Sequence, residues 1–226
     1  MLTAFQSPLK RTRKEWEEVL QGITHGYIAF GNRSKMYDSG VGQMARLKSL
    51  DVWKEYDHIL DLACGNGRLT IPLTESDVTY VGIDCVAGSI EWCRKAFEPW
   101  PNFTFQHYDI WNGFYNPDGV IIPSKVKFVL GDESFDSIIC SSIFTHIGTM
   151  EACVAHLDEV YRLLKPGGKV WITWFRSPPN EINSGCERTV FYEADIINLV
   201  RRFKVTYTNS GFSDTWHDQW EMVLEK

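Results

Sequence analysis

From residue 58 onward, segments typical of β-strands alternate with segments typical of α-helices, and this alternation limits the possible folds more than any other feature. Alternation of this kind favours a largely parallel sheet with helices on both faces. The last two strands are joined only by Ser-Gly-Phe-Ser at 210–213, which predicts an antiparallel final pair. The predicted strands are 58–62, 78–84, 103–109, 135–140, 169–175, 204–209 and 219–225, and the predicted helices are 68–75, 87–97, 150–164 and 194–203. The sequence therefore predicts a doubly wound seven-stranded α/β sheet, mostly parallel with an antiparallel last strand.

The first 50 residues differ from the rest. A helix is predicted over 12–22, followed by an irregular Gly-rich and aromatic stretch at 23–42 and a short helix at 43–50. We expect 1–50 to form an N-terminal helical or lid segment, in which Tyr27–Tyr37 closes over a site, and 51–226 to form the main domain. Within that domain, 111–133 is an irregular insertion that contains the strong turn signal Asn-Pro-Asp-Gly.

Composition excludes several classes of protein. Binding along nucleic-acid phosphates requires a basic face, whereas the formal net charge of this chain is −6. Nucleic acid is therefore disfavoured as a partner. Six cysteines without a Cys-x-x-Cys pair indicate reduced thiols and a cytoplasmic location. No stretch approaches the ~18 apolar residues of a membrane span. The apolar segment 120–130 suggests either a homodimer contact or a cover for the sheet edge.

The key chemical feature is the segment ILDLACGNGR at 59–68, a buried strand that ends in a turn of small residues and opens a helix. Small residues let a ligand approach the backbone closely, and a helix N-terminus offers free N–H groups. The dinucleotide pattern G-x-G-x-x-G/A fails at its third position, which is Thr70. The pattern instead is Asp-x-Ala-x-Gly-x-Gly, with Asp61 near the strand end.

Two further strand ends carry carboxylates. Asp84 ends the second strand, where a carboxylate can accept both ribose hydroxyls of an adenosine, and it can also cap the helix that follows. Asp109 and Ile110 follow the third strand, and an acceptor beside an apolar side chain suits the amino group and ring face of adenine. Alternatively, Asp109 is a solvent-exposed strand end.

Together these segments resemble the class I S-adenosylmethionine-dependent methyltransferases, whose sheet is Rossmann-like, over residues 58–226. DLACGNGR resembles motif I, although Ala63 replaces the more usual glycine, and VGID and YDI resemble the two motifs that follow. FDSIICSSIFTHI and RLLKPGGKVWITWF resemble the fourth-strand motif and the helix, turn and strand after it. The insertion and Ser-Ile-Phe-Thr-His at 142–146 are also similar to a bacterial subgroup associated with small-molecule or glycan methylation.

The resemblance implies a cofactor, S-adenosylmethionine, which leaves as S-adenosylhomocysteine. By position, the turn with Ala63, Gly65 and Gly67 packs against the methionine part of the cofactor, and Asp61 orders that turn. Asp84 takes the ribose, and Asp109 and Ile110 take the adenine. The carbonyl of Ser141, just past the fourth strand, faces the cofactor amino group or sulfonium.

His146 is the candidate general base, because it follows the fourth strand where this family faces the transferred methyl, and histidine suits proton transfer at neutral pH. A structural role that hydrogen-bonds neighbouring backbone is the alternative. The other histidines show no metal-ligand spacing, and His156 is expected to face outward on its helix. We therefore predict no metal.

The predicted reaction is O-methylation of a small polar acceptor, such as a sugar, glycan precursor or secondary metabolite. Cys140-Ser141-Ser142-Ile143 replaces the Asn/Asp-Pro-Pro-Tyr/Phe of enzymes that methylate exocyclic amines of bases. Two alternatives stay open: an N-methyltransferase of a small amine, protein or RNA, and a non-catalytic module that binds S-adenosylmethionine.

Overall fold

The computed structural model describes residues 10–23, 33–176, 184–185, 188–213 and 218–226. None of the helices in these ranges has the length and apolar character needed to cross a membrane. The helices are α1 (Arg13–Leu20), α2 (Arg33–Ser49), α3 (Thr70–Leu73), α4 (Ala87–Ala96), α5 (Met150–Leu163) and α6 (Glu193–Leu199). The strands are β1 (His58–Leu62), β2 (Thr79–Asp84), β3 (Phe103–His107), β4 (Phe135–Cys140), β5 (Leu164–Arg176), β6 (Ser184–Gly185), β7 (Arg188–Phe191), β8 (Lys204–Ser213) and β9 (Asp218–Glu225).

Seven strands form a continuous sheet in the order β3-β2-β1-β4-β5-β9-β8. Strands β1 to β5 run parallel to one another, whereas β9 runs antiparallel to both β5 and β8. The predicted doubly wound sheet, mostly parallel with an antiparallel end, is confirmed. A short antiparallel hairpin of β6 and β7 adds to it, and β7 pairs with the end of β5. The sequence did not predict this hairpin.

Successive residues of the central strands supply two separate hydrophobic cores. Leu60 and Met222 belong to the core on the side of α5 and α6. Their neighbours Ile59 and Val223 belong to the core on the side of α1, α2 and α4. Because side chains alternate across a strand, burial on both faces requires apolar residues at nearly every strand position. The cores thus explain the almost continuous apolar runs of the sequence.

Helix α1 confirms the predicted N-terminal helix and is fixed by its cap and by aromatic packing. Thr12 and Glu15 form a capping box, in which each side chain accepts a hydrogen bond from the backbone N–H of the other. On its buried face, Trp16 stacks on Trp100 with ring centroids 5.6 Å apart. The N-terminal helix therefore shares its core with the sheet.

Helix α2 departs from the sequence analysis, which predicted an irregular stretch at 23–42 and a helix only from Gln43. Glycine costs a helix about 1 kcal/mol relative to alanine, so Gly40 and Gly42 made helix there an unfavourable prediction. Packing overrides this preference, since a Cβ added at Gly40 would overlap the carbonyl oxygen of Arg68. Of the predicted lid Tyr27–Tyr37, residues 27–32 lie outside the described residues and 33–37 are helical.

Helix α5 confirms the helix predicted at 150–164, but one of its histidines lies in the core. Val154 is exposed, and His156 is buried with its Nδ1 2.8 Å from the carbonyl oxygen of Ala152. Burial lowers the pKa of His156 to about 4, so the imidazole is neutral at pH 7. The prediction that His156 faces outward is wrong, because its hydrogen bond one turn back satisfies the ring inside the core.

Candidate functional site

The turn after β1 is built from residues in the left-handed backbone region. Ala63, Gly65 and Gly67 have φ of 63°, 54° and 70°. A Cβ at Gly65 would meet nothing within 4 Å, whereas one at Gly67 would lie 2.7 Å from the Phe97 ring. Gly65 therefore leaves open space against the backbone, and Gly67 permits close helix packing. The helix predicted at 68–75 shortens to α3, because the chain leaves this turn through further turns.

Asp84, at the end of β2, holds this turn in place. Its Oδ2 accepts a hydrogen bond of 2.7 Å from the Gly65 N–H, and its Oδ1 accepts one of 2.8 Å from the Val86 N–H. The N-cap of α4 is Val86 rather than Asp84. The carboxylate is buried, which raises its pKa despite these bonds. Because each carboxylate oxygen has two lone pairs, acceptor capacity is left for a ligand.

Asp61 lies beneath the turn in a chain of buried hydroxyl groups. Tyr80 donates a 2.8 Å hydrogen bond to Asp61 Oδ2, and Thr70 donates one of 2.8 Å to the Tyr80 hydroxyl. No described residue hydrogen-bonds to Asp61 Oδ1, which is buried. Burial raises the pKa of Asp61 to about 7. The sequence analysis did not identify Tyr80. In the pairing of β1 with β2, Asp61 lies opposite Gly82, and Tyr80 is two residues from Gly82. Tyr80 therefore projects from the same face of the sheet as Asp61.

Asp109 and Ile110 lie where the insertion folds back over the end of β3. Asn116 Nδ2 donates to Asp109 Oδ1 at 2.8 Å and to the Ile110 carbonyl at 3.0 Å. The Gly119 N–H bonds to the Asn116 carbonyl at 3.1 Å, which confirms the predicted Asn-Pro-Asp-Gly turn. Asp109 is therefore engaged by the insertion and only partly exposed, not the free strand end that was the alternative.

Arg68 connects the turn to α2 and to the end of β4. Its guanidinium donates to Gln43 Oε1 at 2.5 Å and to Ser141 Oγ at 3.3 Å. Farther along α2, Arg46 forms an ion pair with Glu221 of β9, a carboxylate that is fully buried. Helix α2 thus contacts both the turn after β1 and the antiparallel edge of the sheet.

His146 is half-buried between two aromatic rings in the loop after β4. Its ring meets Tyr115 edge-on with centroids 5.4 Å apart, and Phe175 with centroids 6.4 Å apart. Its carbonyl accepts a 2.9 Å hydrogen bond from Asn112 Nδ2. The insertion therefore fixes the backbone of this loop, and the end of β5 contacts the imidazole.

Three polar residues that the sequence analysis did not select meet beside this loop. Ser142 has φ of 58°, and its N–H donates a 2.9 Å hydrogen bond to Thr173 Oγ1. Gln219 Nε2 donates to Ser142 Oγ at 3.3 Å. Thr173 and Gln219 lie 31 and 77 positions from Ser142 in the sequence, so no local motif could have revealed these two contacts.

The geometry fits an adenosine-type cofactor at the carboxyl ends of β1 and β2. The open space at Gly65 can admit a ligand, and the orphan oxygen of Asp61 lies under the same turn. Ligands of doubly wound sheets bind at such strand ends. Among the described residues, no group of three or more His, Cys, Asp or Glu could hold a metal ion.

Comparison with known protein families points to the same segment. Residues 59–168 match a family described as "Methyltransferase domain". The match begins in β1 and ends just before Lys169 in β5, so it contains the glycine turn, Asp84, Asp109, Ser141 and His146.

Two curated relatives are methyltransferases. Rat mitochondrial ubiquinone biosynthesis O-methyltransferase is 30% identical over 117 residues, which cover 51% of this chain and 30% of the rat protein. Demethylmenaquinone methyltransferase of Streptomyces griseus is 32% identical over 173 residues, which cover 76% of this chain and 66% of that protein. The chain thus matches less than a third of the length of the rat relative.

Among solved structures, the magnesium protoporphyrin IX methyltransferase of Synechocystis with bound SAH superposes with a TM-score of 0.62. The superposition covers 93% of this chain and 92% of that one at 18% identity, so it establishes a shared fold. With the glycine turn, the strand-end carboxylates and the family match, it leads to one conclusion: the chain contains a class I S-adenosylmethionine-dependent methyltransferase domain.

Proposed function

We propose that this protein transfers the methyl group of S-adenosylmethionine to an oxygen of a small polar acceptor. The observation that most supports this proposal is the turn after β1. The Asp84 carboxylate holds this turn in place, and the turn leaves open space at Gly65. We assign the catalytic domain to 51–226, and we treat 1–50 as an N-terminal segment that covers it. The Ser-Ile-Phe-Thr-His sequence at 142–146 supports membership in the small-molecule and glycan subgroup.

We assign the cofactor contacts as follows. The backbone at Ala63, Gly65 and Gly67 packs against the methionine part, and the Asp61 orphan oxygen binds the ammonium through a water. Asp84 accepts the ribose hydroxyls with the lone pairs that its two backbone hydrogen bonds leave. The remaining contacts are those of Asp109 and Ile110 with the adenine and of the Ser141 carbonyl with the amino group or sulfonium.

When bound, S-adenosylmethionine supplies a methyl group on a sulfonium, which is intrinsically transferable by in-line displacement. The protein then has to align the acceptor oxygen with that methyl. Alignment of this kind can lower a barrier by about 7–11 kcal/mol. Helix α2 contacts Arg68, just after the turn, through Gly40 and Gln43, and this contact supports a closed site in which such alignment is possible.

His146 acts in this proposal as the general base. Its imidazole nitrogen would take the proton of the acceptor hydroxyl, so that the acceptor oxygen is left to receive the methyl group. Edge-on contacts with Tyr115 and Phe175 restrict the ring, and the Asn112 hydrogen bond holds its backbone. A positioned base of this kind contributes about 10²–10⁴-fold.

Composition and the named relatives both support a small molecule as the acceptor. The net charge of −6 opposes binding along a nucleic-acid backbone. Named relatives act in ubiquinone biosynthesis and on demethylmenaquinone, which are small molecules. These matches support a small acceptor for this chain, and Ser142, Thr173 and Gln219 make one side of the site polar.

Calorimetric titration of S-adenosylmethionine, S-adenosylhomocysteine and NAD into the protein tests the cofactor assignment. We expect micromolar binding of the first two and at least a tenfold loss of affinity in Asp84→Ala. Asp158→Ala, which removes an exposed carboxylate on α5 paired with Arg202, should bind normally. Binding of NAD alone, or of none of the three, would reject the proposal.

Replacing the base separates O-methylation from its alternatives. His146→Gln should lower kcat by 10²–10⁴-fold with an unchanged affinity for S-adenosylmethionine, and it should abolish the acidic limb of the pH profile. Unchanged kcat would favour transfer to an amine nitrogen. Tight cofactor binding without turnover on any acceptor would favour a non-catalytic module.

A further inference from the structure

We propose that Gln219 recognises the acceptor by hydrogen bonding to a second hydroxyl group, beside the one that is methylated, so that the acceptor is a diol. This inference rests on the proposed methyl transfer and specifies its substrate class. The diol can belong to a sugar ring or to a catechol, because the two present the same pair of hydroxyls.

Gln219 and His146 border the same aromatic side chain. In the antiparallel pairing of β5 with β9, Gln219 lies directly opposite Phe175. Opposite residues of an antiparallel pair project from the same face of the sheet. The Phe175 ring in turn meets the His146 ring at a centroid distance of 6.4 Å. An acceptor ring seated by Phe175 would therefore reach both the imidazole and the amide.

The amide of Gln219 is half satisfied. The residue is 4% exposed, and its Nε2 donates a 3.3 Å hydrogen bond to Ser142 Oγ. Among the described residues, none hydrogen-bonds to its Oε1, which is buried. Reversing the amide would let Oε1 accept from the Ser142 hydroxyl and leave the nitrogen without a partner instead. In either orientation, one end of a buried amide is available to a ligand hydroxyl, which can donate or accept.

The cofactor side of the site holds this amide in position. Ser142 adopts a left-handed backbone, and its N–H is bound by Thr173 Oγ1 at 2.9 Å. Ser142 immediately follows Ser141, whose carbonyl we assign to the cofactor. The amide is thus hydrogen-bonded to the loop that the proposed function places beside the reacting methyl.

A buried polar group that finds no partner in a complex disfavours that complex, so a site that pairs with a hydroxyl discriminates against the analogue without it. An acceptor with a single hydroxyl would leave the Gln219 amide half satisfied. A diol would satisfy it while its other hydroxyl faces His146. This difference in pairing favours the diol over the mono-ol.

The experiment uses the protein saturated with S-adenosylhomocysteine and two pairs of probes. These are catechol against phenol, and trans-1,2-cyclohexanediol, which presents the vicinal hydroxyls of a saturated sugar-like ring, against cyclohexanol. The Gln219 side-chain amide signals in ¹⁵N NMR, assigned by their loss in Gln219→Leu, should shift with at least one diol and not with its mono-ol. Wild type should bind that diol about tenfold more tightly, and Gln219→Leu should reduce the ratio to about one.

Two further variants separate recognition from folding. Gln219→Glu keeps an acceptor oxygen and should restore part of the diol preference. Asn102→Ala removes another side-chain amide, just before β3, whose buried oxygen also lacks a partner among the described residues. It should leave the diol preference unchanged even if it lowers stability.

The outcomes distinguish this inference from the proposed function. If S-adenosylhomocysteine binds but no diol shifts the Gln219 signals, the inference is overturned and the proposed function is not. A diol preference that persists in Gln219→Leu would overturn it as well. Failure of S-adenosylhomocysteine to bind would reject both.

Discussion

The cofactor end and the acceptor end of the candidate site are built in different ways. The proposed cofactor end, from Asp61 to Gly67 with Asp84, lies at the carboxyl ends of two adjacent parallel strands, where the Asp84 carboxylate accepts a hydrogen bond from the Gly65 N–H. The proposed acceptor end combines the loop after β4, with Ser142 and His146, and the β5 residues Thr173 and Phe175. Gln219 joins them only through the antiparallel return of β9. Local turn geometry therefore governs the first, and the order of strands governs the second.

The largest expected effect on stability is that of replacing Gly67, and replacing Gly65 in the same turn should have a much smaller one. Gly67→Ala places a Cβ 2.7 Å from Phe97 in a left-handed backbone, so we expect a loss of roughly 3 kcal/mol in the free energy of unfolding. Gly65→Ala meets no neighbour and should cost only about 1 kcal/mol, yet it fills the space assigned to the cofactor.

Urea unfolding and calorimetry with S-adenosylmethionine check this pair. Gly65→Ala should lose far more cofactor affinity than stability. If both variants lose stability equally and Gly65→Ala still binds the cofactor, the assignment of open space at Gly65 to a ligand is wrong.

The buried carboxyl of Asp61 predicts a pH dependence of stability. Burial raises its pKa from 3.8 to about 7, so between these values the folded protein binds a proton that the unfolded chain has released. The stability that this proton contributes is present below about pH 4 and is lost as the pH rises through 7. At about 1.4 kcal/mol per pKa unit, the change amounts to a few kcal/mol.

Asp61→Asn is neutral at every pH and should therefore gain stability relative to wild type as the pH rises from 4 to 7, measured by urea unfolding. Asp136→Asn is the control. Burial opposes ionisation of Asp136, but hydrogen bonds from Lys165 and the His58 backbone outweigh it and lower the pKa. This control should show no such gain, and a flat difference for Asp61→Asn would contradict a raised pKa.

Removing Arg46 tests whether the two ends are independent. Its ion pair partner Glu221 is fully buried and also accepts a 2.9 Å hydrogen bond from Trp171. Arg46→Met leaves a buried carboxylate without its cation, and because Arg46 is partly exposed we expect a loss of about 2 kcal/mol. Arg13→Met, which breaks exposed ion pairs on α1, should cost under about 1 kcal/mol. A loss of cofactor affinity in Arg46→Met, measured under conditions where the variant is fully folded, would show that the two ends are coupled.

The smallest expected effect concerns Ala63, which stands where the family usually has glycine. Its φ of 63° is unfavourable for a residue with a Cβ. Ala63→Gly should raise the free energy of unfolding by about 0.5–1 kcal/mol, or the melting temperature by about 2 °C. Ala155→Gly, inside α5, should lower it by a similar amount. A destabilised Ala63→Gly would mean that the alanine methyl contributes packing that outweighs the strain.

The sequence revealed more residues of the proposed cofactor end than of the proposed acceptor end, for physical reasons. The turn after β1 needs small residues in fixed order, so its glycines and Asp84 were recognisable. Tyr80 was missed although its face follows from strand pairing, because its hydrogen bond to Asp61 crosses from β2 to β1. Gln219 had no signal, since its contact with Ser142 spans 77 positions.

The sequence by itself determined the alternation of strands and helices, the turn at the carboxyl end of β1 and the position of carboxylates at the strand ends. These depend on periodicity and turn chemistry, which act over a few residues. Only the tertiary structure decided that α2 is helical through Gly40, that His156 is buried and that Gln219 meets Ser142. In each of these cases, contacts between distant segments outweighed the local preference of the chain.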